Sequence, residues 1–150
     1  MDLQAATDDF EARVRESFGK QGMMTHMGAE VVAVRPGFCE LELPRGDQVL
    51  QQHGLFHGGA IAAMADVAGG YAAFSLFEPD DGILTVEFKV NCIAAARGDK
   101  LVARGEVVRP GRTLTVTRGK VIAVDGEKRT VCALMQQTLM RIVDRQDIKG

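Results

Sequence analysis

The chain predicts an α+β domain in which an antiparallel sheet wraps around one long central helix. Three observations carry that expectation. Residues from about 58 to 77 form one run of helix length, rich in glycine, alanine and apolar side chains; four β-rich runs follow it, and two shorter ones precede it around a turn. Strands therefore outnumber helices and lie on both sides of the long helix in sequence, which makes a sheet folded onto that helix the economical arrangement. At 150 residues the whole chain, 1–150, is expected to be one domain with room for a real core. There is no internal repeat, low-complexity segment or linker.

Thr7 with Asp8 and Asp9 marks a helix start, and Phe10, Val14 and Phe18 recur every four residues as one apolar stripe, giving an N-terminal helix over about 7–19. Gly19 and Gly22 end it. The stretch AEVVAVRPGFCELELP reads as two short strands around the turn Arg35-Pro36-Gly37, with Pro44 closing the pair. Arg45 to Phe56 is a polar loop. The central helix, about 58–77, is stopped by FEPDDG through Pro79 and Gly82. Four strands are then expected at roughly 83–92, 99–108, 113–124 and 129–140, separated by AARGD, RPGR and DGEKR.

Composition excludes several functions. With 18 basic against 20 acidic side chains the net charge is -2, and no block of like charge suggests a nucleic-acid arm. Cys39, Cys92 and Cys132 are far apart and outside any C-x-x-C pattern, so each is expected as a small core residue and not in a disulfide or a zinc site. The acidic, helical N-terminus lacks a basic-then-apolar leader, which makes the cytoplasm the expected location. The weakly polar run Gly54 to Phe77 is broken by His57, Asp66 and many glycines, so no membrane span is expected. The two serines, Ser17 and Ser75, lie outside any G-x-S-x-G setting. His53 and His57 are four apart without an H-E-x-x-H context, so no metal is expected, and His26 reads as an ordinary loop histidine. No phosphate-binding or dinucleotide-binding glycine pattern occurs.

One residue stands out against that background. Asp66 is the single charge in HGGAIAAMADVAGGYAAF. The helix positions within about 60° of it are Gly59, Ala62, Ala63, Gly69, Gly70 and Ala73, whereas Ile61, Met64, Val67, Tyr71 and Phe74 fall on the other side. An exposed face normally carries Lys, Glu, Arg or Gln. Each glycine inside a helix costs about 1 kcal/mol relative to alanine, so three beside one carboxylate imply close approach of a ligand or another backbone. A structural pairing of Asp66 with a buried Arg or with backbone N–H groups is the competing reading. The functional one is a partly buried carboxylate of raised pKa lining a reaction site.

The helix start adds a complement. At His57-Gly58-Gly59 the free N–H groups carry the positive end of the helix dipole and can hold a developing oxyanion, and glycine lets a ligand come close. Upstream, Gln51 and Gln52 can donate amide N–H groups toward the same place. Gly58 and Asp66 are eight residues apart, about 12 Å along one helix, so one reacting atom cannot touch both. If both act on the same bond, the Asp comes from a second subunit and the site is shared across a symmetric dimer.

Gln51, His57-Gly58-Gly59 and Asp66 at this spacing resemble the hotdog-fold acyl-CoA thioesterases, specifically the phenylacetate-pathway (PaaI-like) group. That family's pattern is an Asn or Gln, then H-G-G six residues on, then an Asp or Glu nine residues after the His, and the chain reads Q51-QHGLF-H57-GGAIAAMA-D66. The similarity extends through LTVEFKVNCIAAARGDKL and VVRPGRTLTV, over roughly residues 22 to 142. The resemblance implies a hotdog fold, paired subunits with antiparallel central helices, and an acyl-CoA or aryl-CoA substrate. It implies that the Gly58 N–H polarises the thioester carbonyl with help from Gln51, that Asp66 is general base or nucleophile, and that Thr85 orients the water. His57 belongs to the same motif. Coenzyme A, which is part of the substrate and not a cofactor, would lie with its phosphates near Arg109, Arg112 and Thr113, and Gly59 would contact the substrate. The homodimer could pair again into a dimer of dimers. The small face around Asp66 would leave room for the partner chain and the acyl group, and the pocket floor would draw on residues of two chains, among them Met64, Phe74 and Phe88. Two alternatives stay open: a hotdog dehydratase or hydratase using His57 on a hydroxyacyl or enoyl thioester, and a non-catalytic acyl-CoA-binding module.

Overall fold

A computed structural model describes residues 3–150. The elements in order are α1 (Phe10–Gly19), α2 (Gly22–Met27), β1 (Glu30–Arg35), β2 (Phe38–Pro44), α3 (Gly58–Phe74), β3 (Gly82–Cys92), β4 (Lys100–Arg109), β5 (Leu114–Asp125) and β6 (Lys128–Ile142). The six strands form one antiparallel sheet in the order β1-β2-β4-β5-β6-β3, and α3 packs across its inner face. The expected α+β arrangement is what the chain adopts.

Alternation sets the two faces of the sheet. In β2, Cys39, Leu41 and Leu43 are buried while Phe38, Glu40 and Glu42 are half-buried on the other side. Outer-face charges pair across strands, Lys100 with Glu42 at 2.7 Å and Arg118 with Glu106 at 2.7 Å. The inner face receives α3. Ile61, Met64, Tyr71 and Phe74 are buried as expected, but so are Ala60, Ala65, Ala68, Ala72 and Ala73. Helix and sheet thus meet through small residues. A Cβ on Gly105 of β4 would lie 2.3 Å from the Ala68 backbone, which is why that strand position is glycine. Phe18, Tyr71, Phe74 and Phe77 form a row with ring centroids 6.0 to 6.4 Å apart, joining α1 to the end of α3.

Several expected boundaries move. α1 begins at Phe10, not Thr7; Asp9 is its cap residue, and the Thr7 hydroxyl donates to Asp9 Oδ1 at 2.5 Å. Gly22 opens a second short helix, anchored by buried Met24 and Met27 and closed by Gly28 at φ 83°. His26 therefore sits on a helix instead of a loop. The central helix ends at Phe74, three residues before the expected 77, because Ser75 takes over. Its hydroxyl donates to the Ala72 carbonyl at 2.7 Å and accepts the Gly37 N–H at 2.8 Å, while Leu76 and Phe77 close shorter i→i−3 turns. The loop 45–56 holds a 3-10 turn at Asp47–Val49 and a bridge between Leu50 and Phe56. Cys39 and Cys132 are buried as expected, whereas Cys92 is exposed at the end of the edge strand β3. Burial pushes the Cys39 thiol up to about 12, which leaves it unreactive. Among the described residues no helix is long and apolar enough to cross a membrane.

Candidate active site

Asp66 lies mid-helix on the side of α3 that faces β3 and β6, and it is half-buried. Two side chains hold it. The Thr85 hydroxyl, from β3, donates to Oδ1 at 2.8 Å, and Gln137 Nε2, from β6, donates to the same oxygen at 2.8 Å and to the Asp66 backbone carbonyl at 3.2 Å. Burial raises the Asp66 pKa above the ordinary carboxylate value, and the bonds from Thr85 and Gln137 oppose that rise without cancelling it. Among the described residues no Arg or Lys pairs with the carboxylate. A half-buried acid in this setting can take a proton at neutral pH more readily than a surface one.

The start of α3 is built differently. His57 is the cap residue, and its Nδ1 accepts the Gly59 N–H at 2.8 Å. That bond commits the Gly59 amide within the chain, and a Cβ at 59 would press on the ring at 3.0 Å. The Gly58 N–H has no acceptor among the described residues, and open space surrounds the place where a Cβ would stand. Gln51 lies just upstream, where its Oε1 accepts the His53 N–H and its Nε2 stays without an acceptor among the described residues. One free backbone donor thus stands at the positive end of the helix dipole, and the loop that leads into the helix carries a free side-chain donor. His57, Gly58 and Gly59 form one group at the helix start and Asp66 with Thr85 another, about 12 Å apart along the helix.

The small residues around Asp66 divide into two sets. A Cβ on Gly69 would fall 1.8 Å from Gln137 Oε1 and 2.7 Å from Thr117 Oγ1, and Ala73 is fully buried, so these two make room for the protein's own sheet. Gly70 meets nothing within 4 Å. It lines a cavity of about 250 Å³ with Asp66, Val67, Tyr71, Ile83 and Thr85. Met64 and Phe74, expected at the pocket floor, are buried core side chains that line none of this cavity. Phe88 is exposed on β3. Arg109 ends β4, with Arg112 and Thr113 in the following turn; all three are exposed, and neither arginine is in an ion pair among the described residues. Among those residues no group of three or more His, Cys, Asp or Glu side chains is placed to hold a metal ion.

The sequence reading missed Gln137. One signal was present: inward positions of β6 alternate as Ala133, Met135, Gln137 and Leu139, so a buried amide interrupts an apolar row.

Comparison with known proteins gives the family and the fold. The model of the thioesterase superfamily matches residues 53–130, which takes in the helix start, Asp66, Thr85 and the Arg109–Thr113 turn. A thioesterase family protein of Silicibacter pomeroyi, known from its crystal structure, is 42% identical with a TM-score of 0.87 and covers 89% of this chain and 98% of its own. The proofreading thioesterase EntH of Klebsiella pneumoniae is 27% identical over 73% of this chain and 79% of its own. The Escherichia coli PaaI protein, from the phenylacetic acid degradation operon, is 19% identical with a TM-score of 0.79, covering 89% and 94% of the two chains, a likeness of fold alone. A family match over more than half of the chain, laid on a six-stranded sheet with one long helix across it, means that this chain belongs to the thioesterase superfamily and has the hotdog fold.

Proposed function

We propose that the protein hydrolyses an acyl-CoA or aryl-CoA thioester to free acid and CoA, in a homodimer whose two sites each draw on both subunits. The observation that carries this reading is the division of one helix into two unlike half-sites. A free amide donor stands at Gly58, and a half-buried carboxylate stands at Asp66, about 12 Å away. Antiparallel pairing of two such helices brings Gly58 of one subunit beside Asp66 of the other. The thioester oxygen then accepts the Gly58 N–H and the Gln51 amide while charge develops on it. Asp66 takes a proton from water, the water oxygen bonds to the carbonyl carbon, and the C–S bond breaks. The sulfur leaves as thiolate and recovers the proton, so water is the only reactant besides the thioester, and no cofactor enters. Thr85 spends its proton on Asp66 and keeps lone pairs to accept from that water. Arg109, Arg112 and Thr113 offer exposed contacts for the CoA phosphates.

His57 supports this reading over a dehydratase. Its Nδ1 is engaged as a helix cap, and among the described residues no carboxylate is in a hydrogen bond or ion pair with the ring, so it is poorly placed as a base. A binding module, for its part, would have no use for a carboxylate held at a raised pKa. The test combines a thioester panel with subunit mixing. Wild type should release free thiol from acyl-CoA or aryl-CoA, and Asp66→Asn and Gln51→Ala chains, each poorly active, should regain about a quarter of wild-type activity once exchanged, since half the dimers then carry one intact site. No thiol release from any member of the panel would refute the hydrolase. Failure to regain activity despite proven exchange would refute the shared site.

A further inference from the structure

We propose that Gln137 is a positioning residue, which fixes the Asp66 carboxylate so that Oδ2 is the oxygen presented to water. The inference rests on the reading of Asp66 as the reacting carboxylate. Gln137 is 1% exposed and projects from the inner face of β6. Its Nε2 grips Asp66 at two points, Oδ1 at 2.8 Å and the backbone carbonyl at 3.2 Å, so the side chain is tied to its own peptide unit and loses rotational freedom. Thr85 adds a second bond to Oδ1 at 2.8 Å. Two donors thus occupy Oδ1, and Oδ2 accepts none among the described residues. The carboxylate oxygens are equivalent in free solution and unlike here.

The surroundings show that this placement is costly and specific. Gln137 Oε1 is buried without a partner among the described residues, a loss of stability that an apolar side chain at 137 would avoid. Neighbouring inward positions on the strand, Met135 and Leu139, are apolar. Gly69 answers to the same amide, because any Cβ there would displace Oε1. A buried amide that leaves its own oxygen unsatisfied and requires a glycine in the facing helix is accounted for by what its Nε2 does. The charged groups sharing the cavity with Asp66 are Lys20 and Lys149, paired with Glu16 at 3.3 Å and Asp80 at 2.8 Å; β3 and β6 present the uncharged Thr85 and Gln137 to the carboxylate.

Gln137→Leu, with Gln137→Met as a second variant in case the first folds poorly, separates positioning from packing. Three quantities are read: kcat and KM, the acid limb of the rate profile, and the titration of the Asp66 carboxyl carbon by NMR. We expect kcat to fall about 10- to 100-fold, the range usual for groups that orient a reacting residue, with KM within about twofold. Both the acid limb and the carboxyl titration should move to higher pH, since a donor to the ionised form is gone. Gln137→Glu, which sets a second carboxyl against the first, should move both further. A folded Leu or Met variant with wild-type kcat and an unmoved titration, beside an inactive Asp66→Asn, overturns this proposal alone. Full activity of Asp66→Asn overturns it together with the role given to Asp66.

Discussion

Burial holds the Asp66 carboxyl above its usual range, and the sign of that shift has a consequence for stability. A carboxyl whose folded pKa lies above its unfolded value favours the folded state in its protonated form. That contribution is full below the unfolded value of 3.8 and is lost as pH rises through the raised folded value. Asp66→Asn cannot ionise, so it should melt a few degrees above wild type at neutral pH, and the difference should shrink in acid below that window. The same substitution should lower kcat by about 10²- to 10⁴-fold, because the proton acceptor is gone. Melting curves across pH, together with thiol-release rates, check both halves. Asp66 was legible in the sequence because its isolation among Gly and Ala is a local pattern, as is its distance from Gly58. Gln137 is 71 residues away, and adjacent Gln136 and Gln137 look alike until the register of β6 sends one outward and the other under the helix. The bareness of Gly69 is visible in the sequence, but the neighbour it makes room for, Gln137 on β6, is set by the fold.

Among the elements, strands and turns could be read closely, because alternation and Pro-Gly punctuation are short-range signals. Helix ends could not. α2 has only Met24 and Met27 to bury, too few positions to show a period, and α3 stops at a serine whose hydroxyl is claimed by the β1–β2 turn. The segment between α3 and β3 is secured by Asp81, which is 2% exposed, accepts the Glu78 N–H at 2.9 Å and pairs with Arg141 of β6. Arg141 also lies over the Phe77 ring at 5.4 Å. Asp81→Ala removes the partner of a mostly buried guanidinium and uncaps the turn. The loss should be about 2–3 kcal/mol, somewhat below that for a fully enclosed pair because part of the Arg141 side chain still reaches solvent. Urea unfolding should show a lower midpoint with an unchanged slope.

At the scale of the whole molecule, the proposed reaction centre and the turn proposed to hold the CoA phosphates are separable. If Arg109 and Arg112 meet the CoA phosphates, they contribute binding that ground state and transition state share, so Arg109→Ala with Arg112→Ala should raise KM about 10-fold and leave kcat within about twofold. Salt should imitate the double variant, since exposed charges are screened over about 10 Å at 0.1 M. A thioester of the same acyl group on N-acetylcysteamine lacks phosphates and should be hydrolysed equally by both proteins; equal losses on the two substrates would assign the turn to the fold instead. The sheet order carries a different kind of consequence. β3 follows α3 directly in the chain, yet its sheet neighbour is the last strand, with Gly82 facing Ile142. At about 5–20 residues per second of synthesis, β3 waits roughly 3–12 s for β6 to be made, with the edge that β6 will pair left open. A nascent chain halted before residue 128 would carry that strand with nothing to close it. Thr85 arrives early and Gln137 late, so Asp66 gains its second donor only when β6 pairs with β3, and the step that completes the sheet also completes the hold on the proposed catalytic carboxylate.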